Sequence, residues 1–349
     1  MAYRIAYYPG DGIGPEVLQA GRAVIEAALP GLFEFEEIPW NARLAAETGR
    51  AAPEDMLEVL RSFDAIYLGA VGDPRLAPDH LTLAPLLEMR KGFRQYACVR
   101  PVVLYPGVRS PLAGKGPFSI RMTVIRENTE GEYTDAGGRH VVREGEEVAL
   151  QVSLFTRTGI ERVVRYAFRE AMRYERRRLC SVTKSNAQRY GMVFWDEVTA
   201  EVAAEFPEVR LERMLVDAAA MNFVRRPEEF DVVVASNLFG DILTDLAAVI
   251  VGGMGFAPSG NINPEREFPS MFEPVHGSAP DIAGRGIANP VAAVLAGAMM
   301  VEFLGEAAGA EAIRKAVAEH LADGAVATPD RGGSHTSREV TADIVRRLG

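Results

Sequence analysis

Two aspartates, Asp241 and Asp245, stand four residues apart in the stretch 231–245, DVVVASNLFGDILTD. Its first half is a short apolar, β-branched run of the kind that forms a buried strand, after which the apolar spacing turns helical. On a helix, side chains four apart share a face with Cβ atoms about 5–6 Å apart, so the two carboxylates repel unless something positive lies beside them. A hard divalent cation with oxygen ligands is the simplest partner. A solvated acidic edge is the plainer reading of such a pair. Against it, carboxylates at the carboxyl end of a buried strand sit where open α/β sheets place their ligands. Asp217, which opens an alanine-rich helical stretch, is the third candidate ligand; an N-cap is its other reading.

Further residues suggest what the cation would act on. Arg90, Arg100 and Arg126 fall at the ends of expected elements, and the planar guanidinium fork suits carboxylates, so a converging set reads as a site for a di-acid. Lys184 follows the strand 179–183 between Thr183 and Ser185, where desolvation or nearby cations would ease loss of its proton. The polar run RENTEGEY, 126–133, follows directly on a buried strand. From Glu273 to Gly284, EPVHGSAPDIAG is dense in small residues that let a flat ligand approach the backbone, and Asp281 suits a ribose diol.

The elements that must carry these residues alternate. Strands are expected at 4–8, 33–38, 64–70, 96–104, 120–125, 179–183, 209–216 and 231–235. Helices are expected from 15 to about 30 and at 53–63, 83–93, 158–175, 194–206 and 238–246, with mostly helix from Pro290 onward. That alternation indicates α/β architecture on a mostly parallel sheet. The glycine turn Gly10-Asp11-Gly12-Ile13-Gly14 follows the first strand, but the third glycine of a dinucleotide fingerprint would fall on Pro15. It therefore reads as a tight strand-to-helix turn, not as a Rossmann signature. Residues 137–150 are charged, with alternating valines and glycine turns, and read as an arm that needs a partner, often a second copy of the chain. The glycine- and proline-rich stretch 252–269 reads as a long loop.

Composition bounds the partners. A chain of 349 residues, 48% hydrophobic and 25% charged, has room for two domains. With 38 basic against 48 acidic residues, a net charge of −10 argues against nucleic-acid or anionic-membrane surfaces. The most apolar windows, 246–257 and 291–301, fall short of the roughly 20 residues of a membrane span. Cys98 and Cys180 lie in apolar runs as expected of buried thiols, and the N-terminus lacks a signal-peptide pattern, so the cytoplasm is the expected compartment.

The motifs GDGIGPE, RENTEGEY, TKSN, ASNLFGDILTD and EPVHGSAPDIAGRGIANP, taken in order, resemble the β-decarboxylating dehydrogenases, the isocitrate/isopropylmalate dehydrogenase family, across essentially the whole chain. The phrases PDHLTL, FTRTGIERVVRYAF and NINPEREFPSMFEPVHGSAPDIAG look most like the tartrate and D-malate branch. The resemblance implies a two-domain fold, with one domain near 1–97 and 254–349 and the other at 98–253 carrying the dimer contact and the arm near 137–154. It implies Mg²⁺ or Mn²⁺ on Asp241 and Asp245 with Asp217 of the partner subunit, a monovalent cation such as K⁺ being compatible. Arg90, Arg100 and Arg126 would hold a small dicarboxylate 2-hydroxy acid, Lys184 of the partner subunit would be the base and Tyr133 the acid. NAD would lie against His276, Gly277, Ser278, Ala279, Asp281 and Asn289, with Asn186 and Glu273 near the nicotinamide. NADP-using relatives carry a lysine-tyrosine pair where this chain has Asp281-Ile282.

The expected activity is thus NAD- and metal-dependent oxidative decarboxylation of a D-malate or tartrate type acid by a homodimer. Leu83, Leu86 and Leu87 are the expected specificity positions: Leu83 stands where isopropylmalate relatives usually have Glu and the tartrate branch Trp, while Leu86 and Leu87 leave an apolar wall that keeps 3-isopropylmalate as the alternative. Isocitrate is disfavoured, since the Ser-x-Asn pair for its third carboxylate is missing from 83–87. A non-catalytic regulatory subunit and an NAD-independent decarboxylase are the rivals from other classes.

Overall fold

The computed structural model describes residues 2–349. In chain order its elements begin with β1 (Tyr3–Gly10), α1 (Gly14–Ala28), β2 (Phe33–Glu37), α2 (Ala42–Thr48), α3 (Met56–Leu60), β3 (Ala65–Ala70), α4 (Asp79–Thr82), α5 (Ala84–Gly92), β4 (Ala97–Val103) and β5 (Arg121–Glu127). Next come β6 (Gly137–Arg143), β7 (Glu146–Gln151), α6 (Arg157–Ala171), β8 (Arg178–Thr183), α7 (Gly191–Ala203), β9 (Arg210–Leu215), α8 (Val216–Arg225), β10 (Val232–Ala235) and α9 (Asn237–Ile250). The chain then forms β11 (Pro258–Ile262), β12 (Ser270–Pro274), α10 (Val291–Phe303), α11 (Ala307–Asp323) and α12 (Ser337–Arg346). Two units result: Met1–Gln95, Arg100–Arg121 and Ala247–Gly349 form the first, and Tyr96–Val99 with Met122–Leu246 the second. Residues 100–121 thus group with the termini, where the family resemblance implies a second domain running from 98 to 253.

In the first unit the strand order is β2-β1-β3-β12-β11, parallel except for the last pair. The sheet forms because β3 is an apolar run buried throughout and β1 buries its apolar centre, Ile5–Tyr8. One expectation fails here. The stretch 252–269 contains β11, all of it buried, antiparallel to β12. Its residues Pro-Ser-Gly-Asn-Ile have little intrinsic strand preference, and pairing with β12 overrides composition, with Pro258 tolerated at the strand's first position. Glu273, read from sequence as a loop residue, consequently lies on β12. Helix α10, VAAVLAGAMMVEF, is buried almost throughout and is apolar on all sides, as expected for a helix inside a core.

In the second unit the order is β5-β10-β8-β9, all parallel. β10 is the fully buried VVVA run, and α9 begins two residues after it, at Asn237. Helix α6 starts where Thr156 caps it by accepting from Gly159 N, and it buries Ile160, Val163, Val164 and Phe168 at helical spacing. Phe168 stacks on Phe206 with ring centroids 5.0 Å apart. β6 and β7 form a separate two-stranded sheet on which Val141, Val142 and Leu150 are exposed. A hairpin of that kind is marginal by itself. Among the described residues no helix is long and apolar enough to cross a membrane, and Cys98 and Cys180 are buried and form no disulfide.

Candidate active site

The second unit assembles one cluster at the carboxyl end of its sheet. β5 ends with Arg126, 2% exposed, and parallel pairing sets it beside Ala235 at the end of β10. Its guanidinium turns to the first turns of α9: Nε and Nη2 donate to Asn237 Oδ1 at 3.0 and 2.6 Å, and Nη1 donates to Asp241 Oδ1. Tyr133 Oη donates to Asp241 Oδ2 at 2.8 Å, and the guanidinium carbon of Arg126 lies 5.3 Å from the Tyr133 ring centroid. Arginine, tyrosine and aspartate, 115 positions apart at the widest, thus meet on one carboxylate. Gly240 permits this approach, since a Cβ there would lie 2.6 Å from Arg126 Cβ. Asp245 follows one turn along α9 and is exposed.

Most of RENTEGEY is scaffolding around Arg126 and Tyr133. Glu127, buried, accepts from Thr129 N, Thr129 Oγ1 and Glu130 N, and burial pushes its carboxyl above the usual range. Glu130 accepts from Thr156 N and Oγ1 at 2.9 and 2.8 Å. Glu132 accepts from Leu238 N at 3.1 Å and from Ser236 Oγ at 2.8 Å, supplying the N-terminus of α9 with the carboxylate its open amides favour. Sequence reasoning missed Asn237, which fixes Arg126 through two bonds. Its position at the first residue of the helix was the available signal.

Lys184 and Asp217 form a second group in this unit. Lys184 Nζ lies 3.0 Å from Asp217 Oδ1, and this bond holds the Asp217 carboxyl below its usual range. Asp217 lies in the first turn of α8, whose N-cap is Leu215, so the N-cap alternative does not hold. Among the described residues of one chain, no three His, Cys, Asp or Glu side chains gather as a metal-holding group, so Asp217 does not join Asp241 and Asp245 within the chain. The donors present fit a hard cation nonetheless: two carboxylates one helical turn apart, one of them exposed, can anchor Mg²⁺ or Mn²⁺, which commonly takes only one or two protein carboxylates. Asn186 is exposed in the turn that follows Lys184.

The first unit holds two buried arginines and a loop among the sequence-predicted site residues. Arg90 Nη2 donates to Glu273 Oε1 at 3.1 Å, and Arg100 Nε donates to Ser259 Oγ at 3.4 Å. Leu83, the N-cap of α5, and Leu86, Leu87 and Arg90 within it share one broad face of the helix, and Leu86 also packs with Met89 and Phe93 in the hydrophobic core.

The loop from His276 to Asn289 is braced by the glycine turn after β1. Gly12, at φ +58°, lies so close to Ser278 that a Cβ would fall 1.9 Å from its carbonyl oxygen, which accepts from Ile13 N at 2.8 Å. Ala279 holds φ 39°, while Gly277, Gly284 and Gly286 have open space where a Cβ would stand. His276 Nε2 is shut off from solvent without a hydrogen-bond partner, and burial holds this imidazole below its usual pKa. Asn289 Nδ2 donates to Asp330 Oδ2 at 3.0 Å and its Oδ1 accepts from Val291 N, while Asp281 is exposed. An orphaned imidazole nitrogen, bare backbone and an exposed carboxylate fit the adenosine half of a dinucleotide.

Known proteins resemble this chain along nearly its whole length. The chain is 48% identical over 351 positions to a probable tartrate dehydrogenase/decarboxylase of Agrobacterium vitis, covering 99% of this chain and 96% of that protein. It is 49% identical over 357 positions to the D-malate dehydrogenase (decarboxylating) of Escherichia coli strain K12, covering 99% and 98%. Identity is also 49%, over 350 positions, to a 3-isopropylmalate dehydrogenase of Thermobifida fusca, covering 99% and 97%. Among solved structures, isocitrate dehydrogenase from Methylococcus capsulatus superposes with a TM-score of 0.89 at 35% identity, covering 99% of each chain. Residues 4–346 match the isocitrate/isopropylmalate dehydrogenase family model, and the chain therefore belongs to that family of oxidoreductases.

Proposed function

We propose that the chain oxidises and decarboxylates a malate-type 2-hydroxy acid, D-malate or tartrate, using NAD and Mg²⁺ or Mn²⁺, as a cytoplasmic homodimer. The observation that carries this reading is the Asp241 carboxylate, which binds Arg126 on one oxygen and Tyr133 on the other. That arrangement puts a carboxylate-binding group, a phenolic acid and a candidate metal ligand at one point. The names of relatives at 48–49% identity support the substrate class.

Asp241 and Asp245, with Asp217 of the partner subunit, would hold the cation, and His276–Asp281 with Asn289 would hold NAD, with Glu273 and Asn186 toward the nicotinamide. When bound, the cation supplies Lewis acidity at the 2-hydroxyl oxygen and NAD⁺ accepts the C2 hydride. Everything else falls to side chains. Arg90, Arg100 and Arg126 pair with the two carboxylates and fix the acid's orientation. Lys184 of the partner subunit, at Nζ, takes the hydroxyl proton. After CO₂ leaves from the β-position, Tyr133 Oη returns a proton to the carbon left behind. The Lys184–Asp217 ion pair supports a shared site, because the bond makes the two residues travel together into whichever subunit's site they serve. The exposed valines and leucine of the β6–β7 hairpin support a partner copy of the chain.

A second reading, 3-isopropylmalate as substrate, is favoured by Leu86 and Leu87, which lie one turn before Arg90 on α5 and offer an apolar wall. The test is NADH absorbance with D-malate, tartrate and 3-isopropylmalate, each with and without Mn²⁺. Metal-dependent NADH formation is expected on a malate-type acid, highest in kcat/KM for D-malate or tartrate. Equal rates after chelation, or no NADH from any of the three, would contradict the proposal.

A further inference from the structure

Arg90 and Arg100 are steered by Ser259 and Asn261, residues to which the sequence assigns no role. Ser259 lies directly opposite Glu273 in the β11–β12 register, and Asn261 is two residues on from Ser259, so the three side chains stand on one face of the strand pair. Ser259 and Asn261 are fully buried. Ser259 Oγ accepts from Arg100 Nε at 3.4 Å, and Asn261 Nδ2 donates to Glu273 Oε1 at 2.8 Å. That same Oε1 accepts from Arg90 Nη2 at 3.1 Å, while Arg90 Nε is buried without a partner.

This last detail sets the role. A carboxylate beside a guanidinium ordinarily closes on it with two parallel bonds, which here would take up both Nη2 and Nε. Glu273 makes one of the two. We infer that Ser259 and Asn261 are positioning residues of the substrate site: Asn261 holds Glu273 to a single bond with Arg90 so that Nε stays open for a carboxylate of the substrate, and Ser259 sets the fork of Arg100. The inference rests on the proposal that these arginines bind a dicarboxylic acid. Glu273 then supplies just enough negative charge to keep a buried guanidinium from being unpaired. Without Asn261, Glu273 is able to swing onto Nε and compete with the substrate.

The test uses the full-length protein, with D-malate binding measured by calorimetry and turnover by NADH absorbance. Asn261→Leu keeps the branched shape and removes the donor, and should weaken D-malate about tenfold in both Kd and KM while kcat changes by about twofold or less. Ser259→Ala should weaken binding several-fold through Arg100, and Asn261→Ala carries the Arg90 test if the leucine variant does not fold. In an Arg90→Met background Asn261→Leu should add nothing, because its effect runs through Arg90. Wild-type affinity in both variants, or a loss that simply adds to that of Arg90→Met, overturns the inference. If the wild type binds none of D-malate, tartrate or 3-isopropylmalate, the inference falls together with the reading beneath it. If it binds but does not oxidise them, the dehydrogenase proposal fails while the affinity pattern still decides the role of Asn261.

Discussion

Substituting Gly240 by Ala isolates how closely α9 must approach β5 for the candidate site to exist. In an exposed helix the change is favourable by about 1 kcal/mol, since alanine is the better helix former. Here the new methyl would lie 2.6 Å from Arg126 Cβ, 2.8 Å from its Cγ and 3.2 Å from its Cα. Relaxed carbon contacts sit near 3.5–4.0 Å, so helix and strand must part by about 1 Å. The obstructing atoms belong to the root of the side chain and the strand itself, which cannot swing aside as a flexible tip does. Overpacking of this kind costs up to about 3 kcal/mol, leaving a net loss of about 2 kcal/mol after the helix gain. Displacement acts on the first turns of α9, where Asn237 and Asp241 meet Arg126 and Tyr133. A misplacement of that size should lower kcat about a hundredfold. Urea titration followed by circular dichroism gives the stability, and NADH absorbance gives the rate. A Gly240→Ala protein that is more stable than wild type and equally active would refute the reasoning.

Three further outcomes are expected. If Lys184 serves the partner's site, co-expressing equal amounts of Lys184→Ala and Asp241→Asn chains, each inactive alone, should restore about a quarter of wild-type activity, because half the dimers would hold one intact site out of two; no recovery in isolated heterodimers would place Lys184 in its own chain's site. Asp281→Lys in the exposed loop should move cofactor preference from NAD toward NADP, and an unchanged ratio of the two kcat/KM values would remove the ribose role. For the buried Asp343, desolvation opposes ionisation, yet hydrogen bonds from Arg347 and from His320 at 2.7 Å hold its pKa below 3.8. An acid with a depressed folded-state pKa contributes stability above its unfolded value and loses it as pH falls through the folded one, so Asp343→Asn should cost about 3 kcal/mol near neutrality and progressively less below pH 3.8. The measurement is the urea midpoint of both proteins as a function of pH, and a constant difference down to the acid limb would exclude Asp343 as the titrating group.

Local pattern determined a good deal of this protein. The apolar VVVA run, the helical spacing after it and the two aspartates one turn apart were all legible, because strand burial and helix periodicity are written in neighbouring residues. Motif order identified the family, and the failed glycine count pointed to a tight strand-to-helix turn, which is how the chain passes from β1 to α1. Only the tertiary structure decided which groups meet. Arg126, Tyr133 and Asp241 share a carboxylate across more than a hundred positions, and no periodicity reports a contact of that range. It also packed Leu86 with Met89 and Phe93 in the core while leaving Leu83, at the start of the same helix, exposed. The strand β11 was hidden for a related reason. Pro-Ser-Gly-Asn-Ile gains its extended form from hydrogen bonds to β12, not from its own preferences, so the residues that steer the arginines were the ones composition had read as loop.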